Sequence, residues 1–497
     1  MTRSLPPIVT AASTSRRGFL TLAGSALGVA GLAACTSKST SATTGTSSVT
    51  ASSSVSSTGA SSAGHIQSAT AITQVYGDGQ KLVAIAAEYD VAISTAKLTS
   101  SDFKVDSRTI TKVYANTTAA MTTKPVNGRY VIIEMATTDS GAALWPSSLS
   151  TSANAGPPAS GASGGSGMPT GAKPSGAPSG MPSGGAGGMG GGAMLKAAKA
   201  TLRQTGAVTT TAGQTLAADA TSVATSKVIN LIVDDFTQAT FTDPKTGASL
   251  KYNLFVPKDY DKTKTYPLVL FMHDATVTGT DPVAAIAQGL GAVVWASPTD
   301  QARQQAFVLA PLYSTQPVTD SFTTTNALDA TVNLVDTLAA KYSIDTNRLY
   351  STGQSGGAML SMAIDIKYPK KFAATWVVAG QWDPTKVAPL AAKKMWITVA
   401  AGDAKAYPYE NEITPILAKD GATVSKAVWN GKAPVSTLDA DANALAAKGG
   451  NINYSIFTKG TVEPAGAVVD ALNEHLCTWR VAYTIDAIRR WVFAQQL

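Results

Sequence analysis

The sequence contains few residues that could bind a metal ion or form a disulfide. Its 497 residues include two cysteines, Cys35 and Cys477, and three histidines, His65, His273 and His475. Metal sites built from Cys and His need these residues clustered at short spacing, and no such spacing occurs. No cofactor motif is present either. The sequence therefore predicts chemistry by ordinary side chains, with no metal and no cofactor.

Charge is also sparse, at 14% of residues with a net charge of +7. Three of the 39 Lys and Arg residues lie in an N-terminal segment that we expect to be removed, which leaves 36 against 32 Asp and Glu. An excess this mild and dispersed is typical of a solvated surface, so we expect no nucleic acid partner. The 44% hydrophobic content is ample for a core, and the length favours two or more domains.

The N-terminus has the features of an export signal. Arg16 and Arg17 form a twin-arginine motif, and the apolar stretch 20–34 is too short to span a bilayer comfortably. It ends in Leu-Ala-Ala-Cys35, which resembles the lipobox of bacterial lipoproteins, where the cysteine receives a diacylglyceryl group. We interpret residues 1–35 as a lipoprotein signal, with an ordinary cleaved signal as the alternative. The mature protein is then expected outside the cytoplasm, anchored to the cell membrane by lipid on Cys35.

Two low-complexity segments flank and interrupt a β-rich region. Residues 36–65 are rich in Ser and Thr and are predicted to be a disordered tether. Short β-rich runs with turn residues between them then predict an all-β sandwich over 66–235. A Gly/Pro/Ser/Met-rich segment, 146–194, interrupts this pattern and is predicted to be disordered. We place it inside the β domain as a loop, and a plain interdomain linker is the competing interpretation.

Residues 236–497 alternate apolar strands with helical patterns. Near-continuous apolar runs such as 267–273 and 306–310 are typical of strands buried on both faces, and 326–342 has helical spacing. Val481, Ile485, Ile488 and Val492 predict one face of a single closing helix. The pattern indicates a mostly parallel sheet with helices on both faces, the α/β class.

One motif organises this second half, Gly353-Gln354-Ser355-Gly356-Gly357, which reads G-x-S-x-G. A strand-like run precedes it and a helical run, 358–367, follows it. A strand, a tight glycine turn that carries Ser, and a helix form the nucleophile elbow of α/β-hydrolases. A side chain at Gly353 or Gly357 is expected to clash with the turn.

The elbow needs an acid and then a histidine further along the chain. His475 is the only histidine after Ser355, and it is predicted in a loop between the last strand and the final helix. Asp403 follows the strand 395–401 directly, and Asp383 follows the preceding strand and stays open as the alternative acid. Glu474, beside His475, is expected to point elsewhere and to be solvated.

The proposed roles follow from the chemistry of the three residues. His475 would take the proton of Ser355 during attack on a carbonyl carbon, and Asp403 would hold the imidazole tautomer. The tetrahedral oxyanion needs fixed donors. The backbone N–H of Gly356 is one candidate, and the second is expected near Asp274-Ala275, with the N–H of Ala275 as the donor.

With these residues placed, the chain resembles bacterial two-domain esterases in which an immunoglobulin-like domain precedes an α/β-hydrolase domain, similar to polyhydroxybutyrate-depolymerase-like and feruloyl-esterase-like hydrolases. The resemblance covers roughly 66–145 and 200–497. It implies an immunoglobulin-like N-terminal domain and metal-free hydrolysis of carboxylic esters by Ser355, Asp403 and His475. The matching stretches are 233–238, 241–247, 252–260, 342–350, 402–408 and 474–483.

The sequence departs from that family at two positions. The family usually has His-Gly in the oxyanion loop, whereas this chain has His273-Asp274. A carboxylate there would oppose a developing oxyanion unless it points away. The elbow also has Gln354 and Gly356 where the family often has Ser-Met-Gly.

The resulting hypothesis is an exported, lipid-anchored serine carboxylesterase for short or aromatic acyl esters or polyester oligomers. Two alternatives stay open. One is a serine peptidase of prolyl-oligopeptidase type, although no propeller pattern is present. The other is a catalytically impaired surface-binding protein, for which Asp274 is the only support.

Overall fold

The computed structural model describes residues 65–146, 149 and 194–497. The predicted signal with Cys35, the predicted tether up to residue 64, and most of the predicted insertion lie outside the described residues. Within the described part of the chain, no helix combines the length and apolar character needed to cross a membrane.

The N-terminal part consists of β-strands, as predicted. Seven of its strands form one sheet with the order β3-β6-β9-β1-β2-β5-β4, and β7 pairs with β8. Strand β9 links two sections of this sheet, because its first half pairs antiparallel with β6 and its second half pairs parallel with β1. The strands are β1 (Ile66–Tyr76), β2 (Gly79–Ile93), β3 (Phe103–Val105), β4 (Ile110–Asn116), β5 (Gly128–Met135), β6 (Thr201–Gln204), β7 (Val208–Thr209), β8 (Thr215–Leu216) and β9 (Asp219–Asn230).

An apolar core packs against one face of this sheet. Val131 and Ile133 of β5 contact that core, whereas Ile132 contacts a smaller cluster on the opposite face. This alternation is the period of two that a strand imposes on its side chains. Strands β5 and β6, which precede and follow the low-complexity segment, both belong to this part. The backbone N–H of Lys196 donates to the carbonyl oxygen of Leu144 at 2.9 Å.

The C-terminal part is built on a nine-stranded sheet with the order β10-β11-β13-β12-β14-β15-β16-β18-β17. Strands β10 and β11 form an antiparallel edge, and the strands from β13 to β17 are parallel. The strands are β10 (Phe236–Thr242), β11 (Ser249–Phe255), β12 (Tyr266–Met272), β13 (Phe307–Leu312), β14 (Ile344–Gln354), β15 (Ala374–Val378), β16 (Met395–Ala400), β17 (Val424–Trp429) and β18 (Ile452–Phe457).

Helices cover both faces of this sheet. Along β12, Leu268 and Leu270 pack into one apolar cluster while Val269 and Phe271 pack into the other. The fold class predicted for this part is therefore confirmed. The helices are α1 (Ala284–Ala287), α2 (Leu290–Val293), α3 (Pro298–Arg303), α4 (Ala327–Lys341), α5 (Gly356–Lys367), α6 (Ala406–Lys419), α7 (Val435–Ala446), α8 (Ala471–Ala482) and α9 (Asp486–Phe493).

The prediction of one closing helix was wrong, because the chain turns between α8 and α9. The N–H groups of Thr484 and Ile485 close tight turns onto Val481 and Ala482. The guanidinium of Arg489 then donates to the carbonyl oxygen of Tyr483 at 2.9 Å, which satisfies a group that the end of α8 leaves free. The apolar spacing continues across this break, so periodicity alone did not reveal it.

The two parts of the chain meet beside the loop that follows β12. Trp145 packs against Val277, Ala284 and Leu312 of the C-terminal part in one buried cluster. Val277 lies three residues after Asp274, so the N-terminal part supports the segment in which the second oxyanion donor was predicted.

Candidate active site

Ser355 lies in a strained turn between β14 and α5. Its φ of 52° and ψ of −120° fall outside the regions that residues with side chains prefer. A Cβ on Gly353 would lie 2.4 Å from the backbone of Gly357, and one on Gly357 would lie 2.0 Å from the carbonyl oxygen of Met272. The predicted clashes are thus confirmed, and the turn holds the Ser355 hydroxyl at the carboxyl end of the sheet.

His475 reaches Ser355 from helix α8. Its Nε2 lies 2.9 Å from Ser355 Oγ, and its Nδ1 lies 2.6 Å from Asp403 Oδ2. The structure therefore brings together the three residues that the sequence singled out. The expected loop position of His475 was wrong: Asp470 accepts a hydrogen bond from the N–H of Asn473 and caps a helix that begins before the histidine.

Asp403 is the carboxylate that faces the histidine. It is 2% exposed, and its Oδ1 accepts hydrogen bonds from the N–H groups of Lys405 and Ala406, both at 2.9 Å. Its Oδ2 is thereby left for His475. Asp383, the alternative acid, instead accepts from the N–H of Thr385 at 3.0 Å and forms an ion pair with Lys386. The geometry favours Asp403.

The two residues predicted to supply the oxyanion donors line the same cavity as Ser355. A Cβ built on Gly356 would lie 3.8 Å from the backbone nitrogen of Ala275. Gly356 begins α5 and Ala275 begins a short 3₁₀ turn, 275–277. The first N–H groups of a helical turn have no partner within that turn, so both are available to a ligand.

His273 fixes the orientation of the second donor. Burial lowers the pKa of His273, which keeps the ring neutral. Its Nδ1–H donates to the carbonyl oxygen of Asp274 at 2.7 Å, and its Nε2 accepts from the N–H of Tyr313 at 3.0 Å. In a trans peptide the N–H points away from the carbonyl oxygen. The N–H of Ala275 is therefore turned to the side opposite His273.

The side chain of Asp274 is held by hydrogen bonds of its own. Its Oδ1 accepts from the N–H and the hydroxyl of Thr276, at 2.8 and 2.5 Å, and its Oδ2 accepts from Gln354 Nε2 at 2.8 Å. The two departures from the family pattern thus contact each other. Asp274 is one of the buried polar side chains, and each of its carboxylate oxygens is engaged by a donor.

The prediction that Glu474 is solvated was wrong. Its side chain is fully buried, and its carboxylate accepts hydrogen bonds from the N–H groups of Gly402 and Gly460. A Cβ on Gly402 would lie 2.5 Å from the Glu474 carboxyl carbon. Glu474 therefore ties the loop that carries Asp403 to the helix that carries His475. Burial raises its pKa, with a smaller contribution in the same direction from Glu463.

Ser355 and His475 open into a cavity of about 580 Å³. Its apolar walls include Val318, Met359 and Leu472, and its mouth carries an ion pair of 2.6 Å between Lys405 and Asp320. The sequence did not indicate Val318, Asp320 or Leu472, because no motif marks the loop that supplies the first two or the first turn of α8, which supplies the third. Lys405 lies two residues from Asp403, inside a stretch that resembled the family. Across the described ranges, no group of three or more His, Cys, Asp or Glu residues is arranged to hold a metal ion.

Comparison with known proteins finds relatives for both parts. The family described as "Esterase Ig-like N-terminal domain" matches residues 68–217, and the family described as "Putative esterase" matches residues 244–443. The second match includes Ser355 and Asp403 and ends before His475. None of the curated proteins matches this chain.

Solved structures extend the likeness over most of the chain. A thermostable esterase matches with 27% identity and a TM-score of 0.67, over 87% of this chain and 100% of that one. A mutant of the feruloyl esterase module from Clostridium thermocellum, complexed with sinapinate, matches with 14% identity and a TM-score of 0.34, over 51% of this chain and 88% of that one. The second likeness carries no argument about substrate. On the two family matches and the first structure, the chain belongs to the esterases that join an immunoglobulin-like N-terminal domain to an α/β-hydrolase domain, and it is a hydrolase of carboxylic esters.

Proposed function

We propose that Ser355, His475 and Asp403 hydrolyse carboxylic esters through an acyl-enzyme intermediate. The observation that carries this proposal is the unbroken chain of hydrogen bonds from Asp403 through His475 to Ser355, which ends at an open cavity. A serine hydroxyl is a weak nucleophile until an adjacent base accepts its proton, and a base is oriented by a third group. A nucleophile, a base and a group that orients the base are present here as residues joined by hydrogen bonds.

In the first step Ser355 Oγ attacks the carbonyl carbon of the ester while His475 Nε2 takes the hydroxyl proton. The oxyanion accepts hydrogen bonds from the N–H groups of Gly356 and Ala275. The intermediate then expels the alcohol, which takes the proton from His475. Water repeats the attack with His475 as base, the acid leaves, and Ser355 regains its proton. Asp403 keeps the proton of the neutral ring on Nδ1 and stabilises the imidazolium.

The substrates that we propose are short or aromatic acyl esters, or oligomers of a polyester. Support comes from the apolar walls of the cavity, because a pocket of this kind binds acyl groups by excluding water from them. The exposed side chains of Leu472 and Val469 extend apolar surface from the cavity outward. A longer or polymeric ester could contact that surface.

The test is hydrolysis of p-nitrophenyl acetate and butyrate by the purified full-length protein beside Ser355→Ala. We expect turnover that the substitution abolishes, and labelling of Ser355 by a fluorophosphonate that mass spectrometry locates on that residue. Equal turnover by both proteins would reject the mechanism. A prolyl peptide anilide, tested in parallel, should remain intact, and its cleavage would favour the peptidase alternative.

Export and lipid anchoring form the second part of the proposal. The twin-arginine motif and the Leu-Ala-Ala-Cys35 stretch support them, although both lie outside the described residues. We expect the protein in the membrane fraction of the producing cell, with a diacylglyceryl adduct on Cys35 in its N-terminal peptide. Cys35→Ala should release the protein from the membrane without loss of esterase activity. Membrane association that survives this substitution would reject lipidation as the anchor.

A further inference from the structure

A buried cluster of polar side chains lies directly behind the proposed oxyanion donors. Asp274, Gln354 and Gln288 are 4%, 1% and 6% exposed. Gln354 Nε2 donates both to Asp274 Oδ2 at 2.8 Å and to Gln288 Oε1 at 3.1 Å. Gln288 in turn donates to the carbonyl oxygen of Ala285 at 3.3 Å. The cluster has no role in the proton transfers proposed above.

Two of these residues are adjacent in the chain to the proposed nucleophile and to a proposed oxyanion donor. Gln354 immediately precedes Ser355, and Asp274 immediately precedes Ala275, whose N–H is a proposed donor. One hydrogen bond between side chains therefore connects the nucleophile turn to the oxyanion loop. Neither side chain lines the cavity, so neither is expected to contact the substrate.

The remaining contacts make this connection specific. Asp274 Oδ1 is occupied by Thr276, and its backbone carbonyl by His273, so only Oδ2 is free to reach across to the elbow. Gln354 Oε1 is buried and has no hydrogen-bond partner among the described residues. Its Nε2 is thus the only atom of that amide engaged here. Removing the hydrogen-bond partner of a buried polar group destabilises a protein far more than removing that of an exposed group, because the exposed group can bind water instead.

We propose that Asp274 and Gln354 are a positioning pair that sets the distance between Ser355 and the N–H of Ala275. The inference rests on the proposed function, because it assigns the pair to the oxyanion hole of that mechanism. It also accounts for a carboxylate near a developing negative charge: the Asp274 carboxylate is turned into the protein and stabilised there by three hydrogen-bond donors. The two residues depend on each other, so a change at one position needs a matching change at the other.

Reversal of the polarity of this hydrogen bond gives a sharp test. Gln354→Glu places two carboxylates against each other in a buried site, which should drive the loop away from the elbow. A displacement of about 1 Å in an active site costs on the order of 100-fold in rate. Adding Asp274→Asn restores a donor opposite an acceptor, since Asn Nδ2 can donate to the new carboxylate while its Oδ1 still accepts from Thr276.

The experiment measures kcat and KM separately for p-nitrophenyl butyrate with the full-length protein, together with the affinity for a trifluoromethyl ketone, which forms an oxyanion on binding. We expect Gln354→Glu to lower kcat about 100-fold and to weaken the ketone similarly, with KM nearly unchanged. The double variant should return to within about tenfold of wild type. Thermal unfolding of each variant establishes that it is folded.

Gln288→Glu is the matched control, because it adds the same charge to the same cluster and leaves the bond between Asp274 and Gln354 in place. Its kcat should stay within about tenfold of wild type, and Asp274→Asn should not improve it. A folded Gln354→Glu with full kcat, or a double variant no better than the single one, overturns the proposal. If Gln354→Glu does not fold, an active double variant still supports the pair and an unfolded one rejects it.

Failure of this inference is distinguishable from failure of the proposed function. If wild type and Ser355→Ala hydrolyse the ester equally, the mechanism itself is wrong. If Ser355→Ala is inactive and Gln354→Glu is as active as wild type, only the positioning pair is wrong.

Discussion

The nucleophile turn and the acid loop are held in place by different means. At the turn, backbone packs on backbone: a Cβ on Gly353 would meet the backbone of Gly357, and one on Gly357 would meet the carbonyl oxygen of Met272. The acid loop, residues 401–405, is held by hydrogen bonds from side chains distant in the chain, with Glu474 bonded to the N–H of Gly402.

This difference predicts how each region responds to change. Main-chain atoms in a close-packed interior cannot rotate away from an added Cβ as a side chain can, so the clash is not relieved. A loop held by side chains can lose one hydrogen bond and keep its fold while it loses its alignment. The turn should therefore fail by unfolding, and the acid loop should fail by loss of rate.

The largest expected effect is at the turn. Gly357→Ala would place a Cβ 2.0 Å from the Met272 carbonyl oxygen, so we expect no measurable esterase activity and a loss of about 3 kcal/mol in the free energy of unfolding. Urea denaturation measures this loss. Gly289→Ala is the control, because its Cβ would have its nearest neighbour at 3.4 Å. A Gly357→Ala protein as stable as the control would contradict the backbone argument.

The next effect concerns the acid itself. Asp403→Asn should lower kcat by about 10⁴-fold with little change in unfolding temperature, because an amide at that position no longer holds the ring in the tautomer that accepts the Ser355 proton. Asp383→Asn should leave kcat unchanged, since Asp383 bonds to Thr385 and Lys386. Steady-state kinetics on p-nitrophenyl butyrate decides between them, and the reverse result would make Asp383 the acid.

A smaller effect is expected at the contact that aligns the acid loop. A Cβ on Gly402 would lie 2.5 Å from the carboxyl carbon of Glu474, which is a side chain that can shift. We expect Gly402→Ala to fold and to lose about 100-fold in kcat through misplacement of Asp403. In the double variant Gly402→Ala/Glu474→Asp, the shorter acid at position 474 leaves room for the new Cβ, so part of the lost kcat should return. Wild-type kcat in the single variant would show that Glu474 does not align the loop.

The smallest effect on rate, and the clearest effect of pH, is expected at Glu410. This residue of α6 is fully buried, and neither carboxyl oxygen has a hydrogen-bond partner within the described residues. Burial raises its pKa from 4.5 to about 8. The folded protein keeps a proton that the unfolded chain has released, so stability falls as pH rises between these two values.

Glu410→Gln removes this titration. The free energy of unfolding of the variant should depend less on pH between 4.5 and 8 than that of wild type, by up to about 1.4 kcal/mol per pH unit. Urea denaturation at pH 5, 6, 7 and 8 measures both slopes, and Glu412→Gln, at an exposed position of the same helix, serves as a control. Identical slopes would mean that Glu410 is ionised in the folded protein.

The contrast between the nucleophile turn and the acid loop also explains which features the sequence could predict. Within the elbow, Gly353 packs on Gly357 only four residues along the chain, so a five-residue motif predicted the tight turn and the strain at Ser355. Strands such as β12 were predicted because burial on both faces leaves a continuous apolar run. These features depend on local geometry, which residue order records directly.

The acid loop depends on distant contacts, which residue order does not record. Asp403 and Asp383 each follow a strand, and only the packing of α8 decides which carboxylate meets His475. Glu474 was correctly expected to point away from its neighbour, since adjacent helical residues diverge by about 100°. Its burial escaped prediction because the covering segments, at Gly402 and Gly460, lie 72 and 14 residues away.

The hydrogen bond between Lys196 and Leu144 has a consequence for how this protein tolerates change. It places the two ends of the intervening segment side by side, at 2.9 Å, on the immunoglobulin-like domain. Because the entropy of closing a flexible chain grows only with the logarithm of its length, two ends held this close accept a connection of twice the length at a cost of roughly 0.6 kcal/mol. We therefore expect an affinity domain inserted between Leu144 and Lys196 to leave esterase activity intact, which hydrolysis of p-nitrophenyl butyrate would measure.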